Sequence, residues 1–237
     1  MDIKPNHIGI ILDGNRRFAK HLMRRPWEGH KMGLLKSRDV LEWSCKAGIK
    51  YVTAYVLSLE NFNTRPKREL RFILNYLSKE IDTILKDSKH VINKRKINVR
   101  FIGRKKILPK KLQDKFNDLE KATKKNKTHF LNIAVAYGGQ QEIVDAVRNI
   151  LKEGLKGIIK PSDLNEDLIK QHLYTNGHPF PDMIFRTGGE RRISNFMLFQ
   201  SAYSELIFTD RKWPELTNED FSSALSEYSR RKRRFGK

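Results

Sequence analysis

HIGIILDGNRRFAK, residues 7–20, sets an apolar, β-branched run directly against one acid, a glycine, an asparagine and two arginines. The run over 7–12 does not alternate with polar residues, so it reads as a strand buried on both faces, the kind a parallel sheet contains. Asp13 stands at its end, Gly14 lets the backbone turn closely, and Asn15, Arg16 and Arg17 open a helix.

The same grammar repeats outward from this stretch. Strand-like runs lie at 51–57, 97–102, 129–137 and 182–186, with a weaker one at 205–208. Between them, Leu70, Ile73, Leu74, Leu77, Ile81, Ile84 and Leu85 recur at helical spacing, as do Ile143, Val144, Val147, Ile150 and Leu151 after a Gly-Gly start. Strand alternating with helix requires crossover connections and hence a mainly parallel sheet. The expected fold is α/β: a single domain over 1–237, with a six-stranded sheet flanked by helices. There is no internal repeat, low-complexity tract or linker. Residues 152–164 read as a surface loop before a helix capped by Ser162 or Asp163.

No apolar stretch approaches the roughly 20 residues needed to span a membrane. The first residues lack the apolar core of a secretory signal, and the lone Cys45 rules out both a disulfide framework and a cysteine-built metal site. A cytoplasmic protein is expected. The net charge of +21 calls for an anionic partner: phosphate, nucleic acid or a lipid surface. Residues 86–127 hold sixteen Lys or Arg against four Asp or Glu, and RRKRR follows at 230–234. The plain reading of the central window is a solvated face.

In parallel α/β sheets, ligands bind beyond the carboxyl ends of the strands, where helix N-termini attract anions. Asp13 and its arginines fall at such an end; taken alone they are equally a structural ion pair. Two more strand ends have related chemistry. SLENFNTRP (58–66) gathers a hydroxyl, an acid, an amide, an aromatic and an arginine. RTGGERRISNF (186–196) places Arg186, Arg191, Arg192 and Ser194 around a Gly-Gly turn. Bidentate guanidinium donors, a hydroxyl and close backbone approach suit a diphosphate. Glu205 supplies a second carboxylate that would share Mg²⁺ with Asp13, or that merely offsets arginines.

These stretches, with EGHKMG (28–33), AYGGQQEIVDA (136–146), PDMIFRTGGERRISNFMLFQSAYSEL (181–206) and the terminal RRFG (233–236), resemble the ordered signature blocks of the cis-prenyltransferase family, the undecaprenyl diphosphate synthases, in an archaeal-like form. The aspartate-rich DDxxD motif of the trans-prenyltransferases is absent. The resemblance implies the undecaprenyl diphosphate synthase-like fold and Mg²⁺-dependent condensation of isopentenyl diphosphate onto an allylic prenyl diphosphate, giving a long-chain lipid that carries sugars.

By similarity, Asp13 is the essential acid engaging Mg²⁺, and Gly14, Asn15, Arg16 and Arg17 hold the allylic diphosphate with His30 nearby. Phe18 offers the prenyl chain an apolar face where the family often has tryptophan. Ser58, Leu59, Glu60, Asn61, Phe62 and Arg65 match the second substrate loop. Arg186, Arg192, Ile193 and Ser194 match the clasp on isopentenyl diphosphate, and Glu205 matches the second metal ligand. Arg234 and Gly236 match an R-x-G that reaches the partner subunit's site, implying a homodimer. The family pattern makes Asn61 the proton acceptor; a neutral amide is a poor base, and its chemistry better suits orienting a substrate oxygen.

Pro26 stands where family members frequently carry arginine, with Arg25 adjacent as a substitute. Arg16 for glycine, the phenylalanines at 18, 62 and 199, and the lysine-rich composition suggest geranylgeranyl diphosphate as starter, with farnesyl diphosphate the other choice. The helix from about Lys67 to Leu85 presents apolar residues at tunnel-lining spacing, and the basic surface would suit peripheral contact with an anionic membrane. A nucleic-acid-binding protein would also explain the charge, but the 86–127 window has only Phe101 and Phe116 for stacking. A non-catalytic partner subunit of the same fold should lack the DGN acid or the arginine loop, and both are present.

Overall fold

The computed structural model describes residues 4–231. The elements run β1 (His7–Ile11), α1 (Asn15–His21), α2 (Pro26–Lys46), β2 (Tyr51–Ser58), α3 (Leu59–Thr64), α4 (Lys67–Lys86), α5 (Val91–Lys94), β3 (Ile97–Ile102), α6 (Lys110–Thr123), β4 (His129–Tyr137), α7 (Gly139–Leu155), α8 (Glu166–His172), β5 (Met183–Arg186), β6 (Glu205–Phe208) and α9 (Asn218–Arg230). All six expected strands form, joined in the order β3-β4-β2-β1-β5-β6, and each neighbouring pair is parallel.

Alternation within the strands builds two cores. Ile8, Ile10, Val52, Val99, Leu131 and Phe185 join a large cluster with α4 and α6, to which Leu77, Ile81, Ile84, Leu112, Phe116 and Leu119 contribute their buried stripes. Ile11, Tyr55, Tyr137 and Ile184 point to the other face, where Phe196 and Met197 of the β5–β6 connection cover them. That second core has no helix of its own in this cluster, so the connection carrying the expected arginines is itself a structural layer.

Local chemistry moves two boundaries. Asn165, not Ser162 or Asp163, caps α8, its side chain accepting from the Leu168 N–H at 2.9 Å. Residues 161–163 form a separate short turn. The 58–66 stretch is not wholly loop: Ser58 Oγ accepts from the Asn61 N–H at 3.0 Å and starts α3.

The stripe on α7 splits. Ile150 is buried, while Val144, Val147 and Leu151 are exposed on the chain taken alone. In the 86–127 window a minority of the cations form ion pairs, among them Arg95 with Glu42, Lys115 with Asp82 and Arg104 with Asp145. Among the described residues, no helix is long and apolar enough to cross a membrane.

Candidate active site

The strand order reverses at β1. The β1–β2 crossover leads to one side, while β5 joins the other, so the crevice beyond the carboxyl ends of β1, β2 and β5 is where this topology exposes a ligand site. A cavity of about 560 Å³ lies there, lined by Asp13, Asn15, His30, Ser58, Glu60, Asn61, Arg65, Arg186, Arg192 and Ser194 among others. Beside it, a second of about 510 Å³ is lined by Asp13, Gly14, Arg16, Arg17, Lys20, Arg24, Pro26, His30 and Arg65. The three expected loops therefore converge, and no residue of the 86–127 window lines either cavity.

Asp13 is fixed from several sides. Its Oδ1 accepts from the Gly14 N–H at 2.6 Å, and Oδ2 accepts from Arg186 Nη2 at 2.8 Å and lies 3.2 Å from Arg17 Nη2. The Thr187 hydroxyl and the Trp213 N–H both donate to its carbonyl, at 2.8 and 2.9 Å. Gly14 has φ +104, a left-handed conformation that turns the chain straight off the strand into α1. The turn packs tightly on α2: a Cβ on Gly29 would stand 2.0 Å from the Asn15 carbonyl oxygen.

Arg186 is buried; its Nη1 donates to Ser194 Oγ at 2.7 Å and to the Arg192 carbonyl. Ser194, Asn195 and Met197 all take positive φ, of 49, 61 and 48. Strain of this kind persists only where surroundings over-determine it. Here the Tyr55 hydroxyl donates to the Ser194 carbonyl at 3.3 Å, Asn195 Nδ2 donates to Glu60 Oε1 at 2.6 Å, and the Met197 N–H donates to the Tyr137 hydroxyl at 3.2 Å. Tyr137 in turn donates to buried Glu142, whose carboxyl is pushed up by burial.

A second charged group stands across the cavity. Glu69, buried in the first turn of α4, accepts from Arg65 Nη1 at 2.8 Å, with His30 Nε2 at 2.9 Å and Arg16 Nε at 3.7 Å. Burial, reinforced by the Arg65 guanidinium, holds His30 below the usual imidazole range. The buried polar atoms Asn15 Oδ1, Arg65 Nε and Arg186 Nε have no partner among the described residues, so the site retains hydrogen-bonding capacity. Sequence reasoning missed Glu69, Asn195, Tyr55 and Thr187. Only Glu69 carries a signal, as an acid four residues after Arg65.

Several expected residues fall elsewhere. Glu205 does not meet Asp13 within one chain. The register sets Glu205 beside Met183, level with Ile8 at the amino end of the sheet, so about 16 Å of strand separates it from Asp13 before lateral offset is counted. It accepts from Arg231 Nη1 at 2.8 Å instead. Among the described residues, no cluster of three His, Cys, Asp or Glu could hold a metal.

Arg25 turns its guanidinium over Trp27, 5.3 Å from the ring centroid, and Arg24 rather than Arg25 lines the cavity. Leu59 and Phe62 pack on the main core, Ile193 on the second, and Phe18 is half-buried on α1 without lining either cavity. Arg192 does line the larger cavity, from an exposed position where it pairs with Glu190 at 2.6 Å. Arg234 and Gly236 lie outside the described residues.

The polar cavity leads into apolar space. Leu12, Asn15, His30 and Val56 also line a pocket of about 70 Å³. That pocket shares Leu34, Ser37, Leu77 and Trp213 with a mainly apolar cavity of about 80 Å³ between α2, α4 and the sheet. A basic, hydrogen-bonding mouth that shares wall residues with adjoining apolar cavities suits an amphiphile with an anionic head.

The family model for undecaprenyl diphosphate synthase matches residues 11–236. The tritrans,polycis-undecaprenyl-diphosphate synthase (geranylgeranyl-diphosphate specific) of Methanopyrus kandleri is 46% identical over 233 residues, spanning 98% of this chain and 85% of that protein. An isoprenyl transferase of Thermus thermophilus is 44% identical over 237 residues, covering 98% of this chain and 89% of its own length. The crystal structure of lavandulyl diphosphate synthase from Lavandula x intermedia, in complex with dimethylallyl diphosphate, superposes with a TM-score of 0.93 at 36% identity over 99% of both chains.

Proposed function

This chain belongs to the undecaprenyl diphosphate synthase family, a family of prenyltransferases, and from that premise we propose that it condenses isopentenyl diphosphate repeatedly onto geranylgeranyl diphosphate to make an undecaprenyl-type cis-polyprenyl diphosphate, a carrier lipid for sugars. The observation that carries this reading is the shared wall, Leu12 and Val56 among it, between the Asp13–Arg186 cavity and the apolar cavities beside α4.

Arg16, Arg17 and Arg65 take the allylic diphosphate, whose hydrocarbon enters past Leu12 and Val56. Arg186, Arg192 and Ser194 orient isopentenyl diphosphate so that its double bond faces the allylic carbon. Negative charge grows on the departing diphosphate, and guanidinium groups already held in place stabilise it without reorganising. Asn61, on the cavity wall, orients a substrate oxygen.

Mg²⁺ fits this site through Asp13. Its carboxylate lines the cavity next to the arginines, and one carboxylate with substrate phosphates is a usual Mg²⁺ donor set. When bound, the ion would supply charge neutralisation at the diphosphate. The exposed Val144, Val147 and Leu151 suit a homodimer, and the basic, unspanning chain suits a cytoplasmic protein that meets membranes peripherally.

The test is incubation with labelled isopentenyl diphosphate, Mg²⁺ and, separately, geranyl, farnesyl and geranylgeranyl diphosphates, with Asp13→Ala alongside. Long polyprenyl product, made best from geranylgeranyl diphosphate and lost in the variant and in chelator, is the expected result. A folded protein that yields no product with any starter overturns the reading.

A further inference from the structure

Apart from Ser37, the polar groups in the mainly apolar wall of the cavity of about 80 Å³ are three ionisable side chains: Arg38 from α2, Glu80 from α4 and His90 from the segment before α5. Arg38 grips Glu80 with both arms of its guanidinium, Nε to Oε1 at 2.8 Å and Nη2 to Oε2 at 2.5 Å. His90 Nδ1 accepts from the Ile92 N–H at 3.2 Å, which leaves Nε2 to carry the proton and donate to Glu80 Oε1 at 3.0 Å. Side-chain exposure falls from 35% at Arg38 through 11% at Glu80 to 3% at His90, so the cluster stands between the cavity and water.

Its place along the channel is defined by α4. Glu69 meets His30 at the polar mouth, and Glu80 lies eleven residues later, about 16 Å along the helix axis. A hydrocarbon growing inward from the diphosphate site follows Ile73, Tyr76 and Leu77 and then meets the cluster. At about 80 Å³ the cavity gives a long chain little room, so further growth must part α2 from α4 where Arg38 and Glu80 tie them. Separating these charges beside hydrocarbon leaves each without its partner, which opposes passage.

We propose that Arg38, Glu80 and His90 form a polar latch that limits how far the growing prenyl chain extends, and so help set product length. The inference rests on the elongation reading above. Removing the latch should lengthen the product without altering the first condensation, whose reacting atoms lie at the other end of the channel.

The experiment compares wild type, Glu80→Gln and the apolar double variant Arg38→Met with Glu80→Met, using geranylgeranyl diphosphate, labelled isopentenyl diphosphate and Mg²⁺. Product length and the rate and KM of a single condensation are measured. Replacing both charges with side chains of similar volume avoids a lone buried ion; if the double variant does not fold, Glu80→Gln decides. The expected result is a distribution shifted upward by at least one isoprene unit, with single-condensation KM and rate within about twofold of wild type. Unchanged or shorter product from a folded variant, while wild type elongates normally, overturns the latch alone. Wild type that makes no polyprenyl product overturns the elongation reading, and the latch with it.

Discussion

Arg186 Nη2 donates to Asp13 Oδ2 at 2.8 Å, tying the last residue of β5 to the loop after β1 across the point where strand order reverses. The pair holds an acid and a guanidinium in one preset geometry, ready for a ligand that needs both.

Asp13→Ala should therefore have two separable effects. Turnover should fall by about a thousandfold, the scale of losing a preorganised electrostatic group. Stability should drop by about 2 kcal/mol, because buried Arg186 loses a charged hydrogen bond while Ser194 and the Arg192 carbonyl still receive Nη1. Urea titration and single-turnover kinetics on the same preparation check both. Full stability in the variant would contradict the structural half.

Glu69 gathers Arg65, His30 and Arg16 at the mouth of the channel. Glu69→Ala leaves the largely buried Arg65 guanidinium without its carboxylate, so stability should fall by about 3 kcal/mol. The KM for the allylic diphosphate should rise several-fold, with the KM for isopentenyl diphosphate much less affected. Equal effects on both substrates would mean that the group serves the whole cavity rather than the allylic side.

The difference between these two acids shows what was legible in the sequence. Asp13 and Arg186 end apolar runs whose strand character is local, so both could be placed on one sheet edge without coordinates. Glu205 is legible as the first residue of the run at 205–208, and the expected metal pairing with Asp13, drawn from similarity, runs against that placement. It opens β6, which puts it at the far edge. Glu69 looked like one more charge on an amphipathic helix, because its burial comes from contacts with His30 and Arg16, distant in the chain. The resemblance offers Arg25 in place of an arginine at the Pro26 position, but tertiary packing gives its guanidinium the face of Trp27. The cap of α8 lies at Asn165 rather than at the expected Ser162 or Asp163 because residues of capping type crowd four positions, and only backbone geometry chooses among them.

Acid sensitivity should come partly from His7. Burial pushes its imidazole down to about 4, against the Pro179 carbonyl and Asp182, which raise it. The unfolded chain, with an ordinary histidine, binds the proton first as pH falls, so stability present above about pH 6.5 is lost progressively toward pH 4. The loss from this one group amounts to about 3 kcal/mol by pH 4. His7→Asn, which keeps a donor toward the Pro179 carbonyl, should flatten the slope between those pH values in urea titrations. An unchanged slope would assign the acid sensitivity to other groups.

The single cysteine should be inert while the chain is folded. Burial pushes the Cys45 thiol up to about 11 from 9.0, cutting its thiolate fraction near neutral pH by about a hundredfold. Labelling by iodoacetamide at pH 7.5 should be slower by that factor than in denaturant. Rapid native labelling would mean that α2 opens locally around Cys45.

The exposed side of α7 bears on assembly. Val144, Val147, Leu151 and Leu155 follow one another at spacings of three and four, so they form one face, and Leu151 and Leu155 are 60% and 91% exposed. An apolar stripe on a helix whose opposite side already packs into the fold is a surface that association would cover. A second copy of this chain is the occupant the family resemblance implies. Leu151→Glu places a charge at the centre of the stripe, where burial against a partner would cost several kcal/mol. It should convert a dimer to a monomer in analytical ultracentrifugation while leaving the circular dichroism spectrum and the chain's own packing unchanged, because Leu151 contributes to neither core cluster. A wild-type monomer, or a dimer that survives Leu151→Glu, would exclude this face as the dimer contact.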